Sequence, residues 1–279
     1  MPSARSEVAV AELDGKIYVA GGFGGGRELE IYDPAADRWT HGSAMPRAVH
    51  HAAAVGVGGR LVVVGGYANG WNPIDSVYEY DPATDRWREL ASLPSPRGAL
   101  AAAVVDGRVH DFGGVGENRR NSASHEAYLP DRNVWESRAD LPTPRDHLTA
   151  AVVKGRLYAL GGRKNGSYAR NLAVNEAYDA HTDTWRRLAP MSTPRSGIAA
   201  VSLHGRVYVF GGEAPEGTFD EVEVYDPASD RWRDAGTRLP SARHGLGAAV
   251  VGGRVFVIAG GTTPGGSASS LNEIYAPEP

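Results

Sequence analysis

A pair of glycines closing an apolar run recurs six times along this chain, starting at Gly21, Gly65, Gly113, Gly161, Gly211 and Gly260. The steps between the pairs are 44, 48, 48, 50 and 49 residues. A period of that length marks a supersecondary unit that cannot bury its apolar surface alone and must stack on copies of itself. A tyrosine follows each pair, at Tyr32, Tyr80, Tyr128, Tyr178, Tyr225 and Tyr275. In the first five units a tryptophan comes seven residues later, at Trp39, Trp87, Trp135, Trp185 and Trp232. A turn lies between the two aromatics, clearest at Asp33-Pro34, Asp81-Pro82 and Asp226-Pro227. A proline-bearing connection then ends in an arginine, read as Arg5, Arg47, Arg97, Arg145, Arg195 and Arg243.

Each unit reads as four short strands. In the second, His51 to Val57 is strand A, Arg60 to Val64 strand B, Ser76 to Tyr80 strand C and Arg86 to Leu90 strand D, with turn-forming residues between them. With 36 glycines and 18 prolines, no stretch of ten or more residues keeps a helical period without one of them inside it. Almost no helix is expected. Four-stranded sheets stacked around an axis bury both faces and expose only short edges. Strand A, as in Ala52-Ala53-Ala54-Val55 and Ala101-Ala102-Ala103-Val104, is thin enough for the crowded centre. The tryptophan of strand D serves as an apolar wedge between neighbours. The recurring arginine is expected to tie turns together through backbone carbonyls.

The ordered set Gly-Gly, Tyr, Trp and Arg resembles the kelch family of β-propellers over nearly the whole chain. The resemblance implies an all-β, six-bladed propeller in a single domain, residues 1–279, with blades at roughly 1–42, 43–90, 91–138, 139–188, 189–236 and 237–279. Departures are local: Tyr128-Leu129-Pro130, Tyr178-Asp179-Ala180, and no tryptophan in the sixth unit. After strand C of that unit, Asn272 to Tyr275, only Ala276, Pro277, Glu278 and Pro279 follow. Prolines donate no backbone hydrogen bond. The last blade is therefore expected to have three strands and an open outer edge. The seam between blades 6 and 1 is expected to close without a tryptophan wedge.

Repeat residues are scaffold, so function belongs where the repeats differ. The resemblance implies binding at the mouth formed by the B–C and D–A loops. On this sequence that marks Phe23, Tyr67, Val115, Arg163, Glu213 and Thr262 after the glycine pairs. It also marks the two residues after each arginine: Ser6 and Glu7, Ala48 and Val49, Gly98 and Ala99, Asp146 and His147, Ser196 and Gly197, His244 and Gly245. The long B–C loops of blades 2 to 4 add Trp71, Arg119, Arg120 and Lys164. Exposed aromatics and arginines dominate binding hot spots, and paired cations suit an acidic peptide or an anionic sugar. The candidate ligand-contacting set is Phe23, Tyr67, Trp71, Arg119, Arg120, Asp146, His147, Arg163, Ser196, Glu213 and His244. His50, His147 and His244 start strand A on alternate blades, but a wide channel sets them too far apart for the ~2 Å bonds of zinc. No metal and no cofactor is expected.

Charge and composition narrow the function classes. Twenty-nine basic against 33 acidic side chains, net -4, do not describe a general polyanion binder. Nucleic acid is not an expected partner. The absence of cysteine excludes disulfides, thiolate metal sites and cysteine nucleophiles. It also excludes the cysteine-crosslinked copper site of kelch propellers similar to galactose oxidase. The N-terminus has no signal-peptide pattern and no apolar run is long enough to span a bilayer, so a cytoplasmic, membrane-free protein is the default expectation. No Gly-x-Ser-x-Gly elbow, His-Glu-x-x-His helix or phosphate loop appears. The expected function is a binding module for a protein or peptide, acidic in character. The alternatives are a carbohydrate-binding or sugar mutarotase-like protein for an anionic sugar, with Asp146, His147, Arg163, Glu213 and His244 as acid–base groups, and a purely structural propeller. A pocket pairing carboxylate with arginine beside a shifted titratable group favours the sugar reading. A shallow face with exposed Tyr67 and Trp71 favours a protein partner.

Overall fold

Strands A and B of every unit are joined by a two-residue turn with both residues left-handed, as at Asp14 (φ 51°) and Gly15 (φ 75°), or Lys154 (φ 50°) and Gly155 (φ 75°). Such turns match the twist of antiparallel strands and fix their register: Leu13 pairs Lys16, and Val153 pairs Arg156. The computed structural model describes residues 1–276. Blade 1 comprises Ala9–Leu13, Lys16–Ala20, Leu29–Asp33 and Arg38–Gly42; blade 2 comprises Ala53–Val57, Arg60–Val64, Val77–Asp81 and Arg86–Glu89. Blade 3 is built from Ala101–Val105, Arg108–Phe112, His125–Leu129 and Val134–Ser137, and blade 4 from Thr149–Val153, Arg156–Leu160, Asn175–Asp179 and Thr184–Arg187. Blade 5 holds Ala199–Leu203, Arg206–Phe210, Glu221–Asp226 and Arg231–Arg238. Blade 6 holds Gly247–Val251, Arg254–Ile258 and Asn272–Tyr275. Each sheet is an antiparallel meander in chain order. Every strand A touches strand A of both neighbouring blades, the last closing on the first. The fold is the six-bladed propeller with a three-stranded final blade. The expectation that Pro277 and Pro279 deny donors to a further strand falls outside the described residues.

The Tyr-to-Trp spacing has a local cause. In blades 1 to 5 the tyrosine hydroxyl donates to a residue five positions on: Tyr32 to Asp37, Tyr80 to Asp85, Tyr128 to Asn133, Tyr178 to Asp183 and Tyr225 to Asp230, at 2.7–2.8 Å. Those acceptors all sit at positive φ. From blade 2 onward they also accept a backbone N–H of the preceding blade's D–A connection, from Ser43, Ala91, Ala139 and Ala189. Two residues further on, the indole N–H of Trp87, Trp135, Trp185 and Trp232 donates to the carbonyl of that same Ser43, Ala91, Ala139 or Ala189. One motif thus forms the C–D turn and ties two blades together.

Six apolar clusters fill the six seams. Because each tryptophan reaches back to the preceding blade, Trp39 belongs to the 6–1 seam, with Tyr32, Ile17, Val19, Phe256 and Ile258. The seam without a tryptophan is 5–6, where Tyr275, Phe210, Val222 and Leu239 pack instead. This corrects the expectation that the wedge is missing between blades 6 and 1.

The arginine frame also needs correction. Arg5, Arg97, Arg145, Arg195 and Arg243 are fully buried, and each donates to a strand-B-end carbonyl sixteen residues on. In blade 2 the equivalent residue is Val49. Its carbonyl accepts from Gly22 as that of Arg97 accepts from Gly66, while Arg47 lies on the surface side, half-buried. In blade 6 the arginine's acceptor is Ala259, at φ 60°, so the structural pair is Ala259-Gly260, and Gly261 rather than Thr262 follows it.

A candidate ligand site at the channel mouth

The residue two positions beyond each buried arginine, or beyond Val49, lies on the propeller axis. These are Glu7, His51, Ala99, His147, Gly197 and Gly245, all left-handed with φ between 51° and 64°. Each N–H donates to the carbonyl of its counterpart one blade back, from His51 to Glu7 around to Glu7 to Gly245, at 2.7–3.0 Å. The result is a closed collar of six backbone hydrogen bonds. Non-glycine residues seldom adopt this conformation, and where they do the surroundings hold them there. Glycine at two of the six positions leaves room: a Cβ on Gly245 would fall 2.5 Å from the Glu7 carboxylate.

The preceding residue of each unit makes a two-stranded bridge with the residue after the glycine pair. Ser6 pairs Phe23, His50 pairs Tyr67, Asp146 pairs Arg163, Ser196 pairs Glu213 and His244 pairs Gly261. Both sets of loop residues therefore share one mouth, as rotational repetition requires.

A buried polar network follows the collar. The Asp146 carboxylate meets His147 Nδ1 at 2.5 Å and Arg163 Nε at 3.4 Å. Arg163 Nη1 meets Glu213 Oε1 at 2.5 Å. His244 Nδ1 lies 3.6 Å from Glu213 and 3.3 Å from Glu7, whose other oxygen is 3.3 Å from His51 Nε2. The His51 and His147 rings, centroids 4.8 Å apart, close the circuit. Asn121 and the amide of Gly166 also donate to Asp146, and the amide of Gly265 to Glu213.

Burial sets the protonation of this ring. It disfavours the charge on Glu7, but the facing imidazoles of His51, His244 and His147 outweigh it and hold the carboxyl well below its usual range. Asp146 is likewise held low, burial being overcome by His147 and its other donors. His51 is pushed well down by burial, which Glu7 opposes only in part. His244 moves up: burial works against its charge, but its bond to Glu7 and the nearby Glu213 prevail. Of the imidazoles facing Glu7, His244 is thus the one whose charged form Glu7 and Glu213 favour.

Above this ring, Tyr67, Trp71, Asn72, Arg119, His147, Arg163 and Asn165 line a bowl of ≈ 420 Å³. Trp71 is 59% exposed and its edge packs on Phe23, His50, His51 and Tyr67. Phe23 stacks on His50 at 4.3 Å. Tyr67 is buried, so it supplies floor rather than an exposed contact. Arg163 is buried and its charge is taken by Asp146 and Glu213. Arg119 is exposed on the bowl's rim, and Arg120 faces a separate cleft beside Ser95 and Asn118. Six of the expected residues, Asp146, His147, Arg163, Ser196, Glu213 and His244, come together in the buried ring. Phe23, Tyr67 and Trp71 form the aromatic wall beside it.

The sequence marks Glu7 at this mouth but not among the candidate ligand-contacting residues, and His51 is not marked there. Arg47 mimics the repeat arginine in blade 2 and so shifts the apparent frame two residues away from His51. The sixteen-residue spacing from buried arginine to glycine pair in blades 1, 3, 4 and 5 is the signal that places Val49 at the equivalent position of blade 2 and His51 on the axis.

The sequence signature of the KLHDC2/KLHL20/DRC7 Kelch-repeats domain matches residues 36–189 and 130–277, and that of the Kelch motif matches residues 4–46. Kelch-like protein 34 of Homo sapiens is 40% identical over 73 residues, 24% of this chain and 11% of that protein. Kelch-like protein terF of Aspergillus terreus is 38% identical over 73 residues, 24% of this chain and 16% of that protein. These matches span a small part of the curated relatives' length. The solved structure of YjhT superposes with a TM-score of 0.88, covering 99% of this chain and 96% of that one at 17% identity, a likeness of fold.

Proposed function

This chain belongs to the kelch-repeat family, whose propellers are scaffolds of the kind used for protein interaction, and from that premise we propose that its loop-bearing mouth binds an acidic protein or peptide segment across blades 2 to 4. The observation that carries the reading is that exposed Trp71 and Arg119 line one bowl, together with Glu117, while further unpaired cations stand on the loops of the neighbouring blades. Arg119, Arg120, Lys164 and Arg170 are all exposed, and none forms an ion pair among the described residues. Arg163, by contrast, is internally compensated and serves to shape the floor. A flat indole beside guanidinium groups suits a segment that presents carboxylates around an apolar or aromatic residue. Rim charges of this kind govern association rate and salt sensitivity more than they govern intrinsic affinity.

A fluorescein-labelled glutamate-rich peptide, followed by anisotropy, tests this. Binding should weaken as salt rises. Trp71→Ala and the double charge reversal Arg119→Glu/Lys164→Glu should each reduce affinity at least about tenfold, with melting curves close to the parent's. Unchanged affinity in both variants would remove the proposal. A sugar acid in the bowl is the second reading. It is favoured by the bowl's volume of ≈ 420 Å³, within the range of small-ligand pockets, and by the arginine–carboxylate pairing beneath it. A free uronic acid that displaces the peptide and itself saturates the protein would favour that reading.

A further inference from the structure

We propose that Glu7, His51 and His147 form a binding site for one divalent first-row transition metal ion within the axial collar. Their donor atoms all lie within 4.8 Å of one another, although they come from blades 1, 2 and 4. The collar makes this possible. The left-handed backbone aims these side chains across the axis, where a regular strand would send them along the channel wall. The three residues line a small cavity of ≈ 90 Å³, walled below by Val8, Leu100 and Leu148.

The imidazoles are set up as ligands rather than as members of a satisfied hydrogen-bond network. His147 Nδ1 is held by Asp146 at 2.5 Å, and His51 Nδ1 by His50 Nδ1 at 2.6 Å. That leaves Nε2 of each ring for the axis. His147 Nε2 is buried and has no hydrogen-bond partner, a costly state for a polar atom. His51 Nε2 faces Glu7 Oε2 at 3.3 Å. A carboxylate behind a ligating histidine, as Asp146 stands behind His147, fixes tautomer and orientation and strengthens the ligand. The charge balance agrees. Glu7, Asp146 and Glu213 oppose the single guanidinium of Arg163. Three carboxylates against one guanidinium give the collar an excess of acidic groups, which favours a bound cation. Two imidazoles and a carboxylate suit zinc and its first-row neighbours more than magnesium or calcium. Glu7 also forms a second compact group with Glu213 and His244, but Glu213 is already held by Arg163 and by the amide of Gly265.

The full chain, stripped with a chelator and exchanged into metal-free buffer, should bind about one equivalent of Zn²⁺ by calorimetry. It should also give saturable visible absorption bands with Co²⁺. His147→Ala, which places at that collar position the residue already present at Ala99, and Glu7→Gln should each lower affinity at least tenfold. Asp146→Asn should lower it 10- to 100-fold through His147 alone. His110→Tyr, remote from the collar, should bind like the parent. If His147→Ala lowers the apo melting temperature, the isosteric Glu7→Gln decides. Absence of saturable binding of either ion by the stripped protein, or parental affinity in a folded Glu7→Gln, would overturn the proposal.

Discussion

At the scale of single residues, the buried arginine is matched by an acid on strand C of its own blade. Arg5 meets Glu30, Arg97 meets Glu126, Arg145 meets Glu176, Arg195 meets Glu223 and Arg243 meets Glu273. Blade 2 departs at both positions together. Val49 replaces the arginine, Tyr78 replaces the acid, and the two belong to one apolar cluster. A buried ion pair and a well-packed apolar pair are interchangeable as units, whereas half of an ion pair leaves an unpaired buried charge. Val49→Arg should therefore destabilise the protein by about 3–5 kcal/mol. Adding Tyr78→Glu should recover at least about 2 kcal/mol of that loss, measured by denaturant titration of the single and double variants. Additive losses would show that blade 2 does not use the charge-pair geometry of its neighbours. The same residues show what the sequence conceals. An arginine two positions early, Arg47, mimics the motif, and only the register of the whole unit separates it from the real position. That misreading hid His51.

At the scale of the strand pair, the repeat was legible because its turns, wedges and caps are local and recur, the wedge and the tyrosine bond in five of the six blades and the turn in all six. Gly-rich left-handed turns, the Tyr-to-acid bond and the indole-to-carbonyl bond each need only a few neighbouring residues plus one from the next blade. The direction of the wedge was not legible, because a tryptophan in one unit does not state which neighbour it leans on. Blade 3 carries a variation whose meaning emerges only in the pairing of strands. His110 on strand B and His125 on strand C face each other, Nδ1 to Nε2 at 2.9 Å, and His125 also bonds the Ala139 carbonyl. Blade 4 has Tyr158 and Asn175 at these positions, and Asn175 bonds the matching Ala189 carbonyl. Burial pushes His110 down to about 4 and His125, further opposed by His110, down to about 3. Both are neutral in the folded protein near neutrality, while the unfolded chain takes up protons below about 6.5. Their contribution is therefore complete above pH ~6.5 and is lost as pH falls toward 4 and then 3. The loss should be on the order of 3 kcal/mol for each histidine by pH 4. The double variant His110→Tyr/His125→Asn, which copies blade 4, should show a flatter decline in stability between pH 6.5 and 4. A variant with the parent's pH profile would contradict this account. Asp111 and Glu126, both shifted upward chiefly by burial beside Arg97, favour the opposite pH trend, so the difference between variant and parent is the quantity to read.

At the scale of the whole ring, the question is how six stacked sheets close when the last has only three strands. The sequence indicates the short sixth blade correctly, but the expected closure of the 6–1 seam by strand packing without a tryptophan leaves out both Trp39 and the backbone collar. Closure is concentrated at the axis. The six-membered collar passes through the 6–1 seam by the bond from Glu7 N–H to the Gly245 carbonyl, reinforced by Arg5 N–H to Ser269 and Gly260 N–H to Arg5. Trp39 adds apolar contact there. This belt was invisible in the sequence because its members, Glu, His, Ala, His, Gly and Gly, share a backbone conformation and no side-chain type. The weak edge is elsewhere. Strand C of blade 6, Asn272–Tyr275, pairs with Arg254–Ile258 on one side and with no strand on the other among the described residues. Ile274 is 51% exposed there. An edge strand exchanges its amides through small local openings, whereas a cyclic set of hydrogen bonds cannot lose one member without distorting the blades on both sides. Native-state hydrogen exchange should therefore show the amides of Asn272–Tyr275 exchanging faster than those of Asn175–Asp179, the same strand covered by a fourth in blade 4. The amides of Glu7, His51, Ala99, His147, Gly197 and Gly245 should be among the slowest, with similar protection at all six and no dip at Glu7 where the chain's two ends meet. Equal protection of the two C strands would refute the open-edge account. Rapid exchange at Glu7 with slow exchange at the other five would show that the ring is closed at its perimeter and not at its axis.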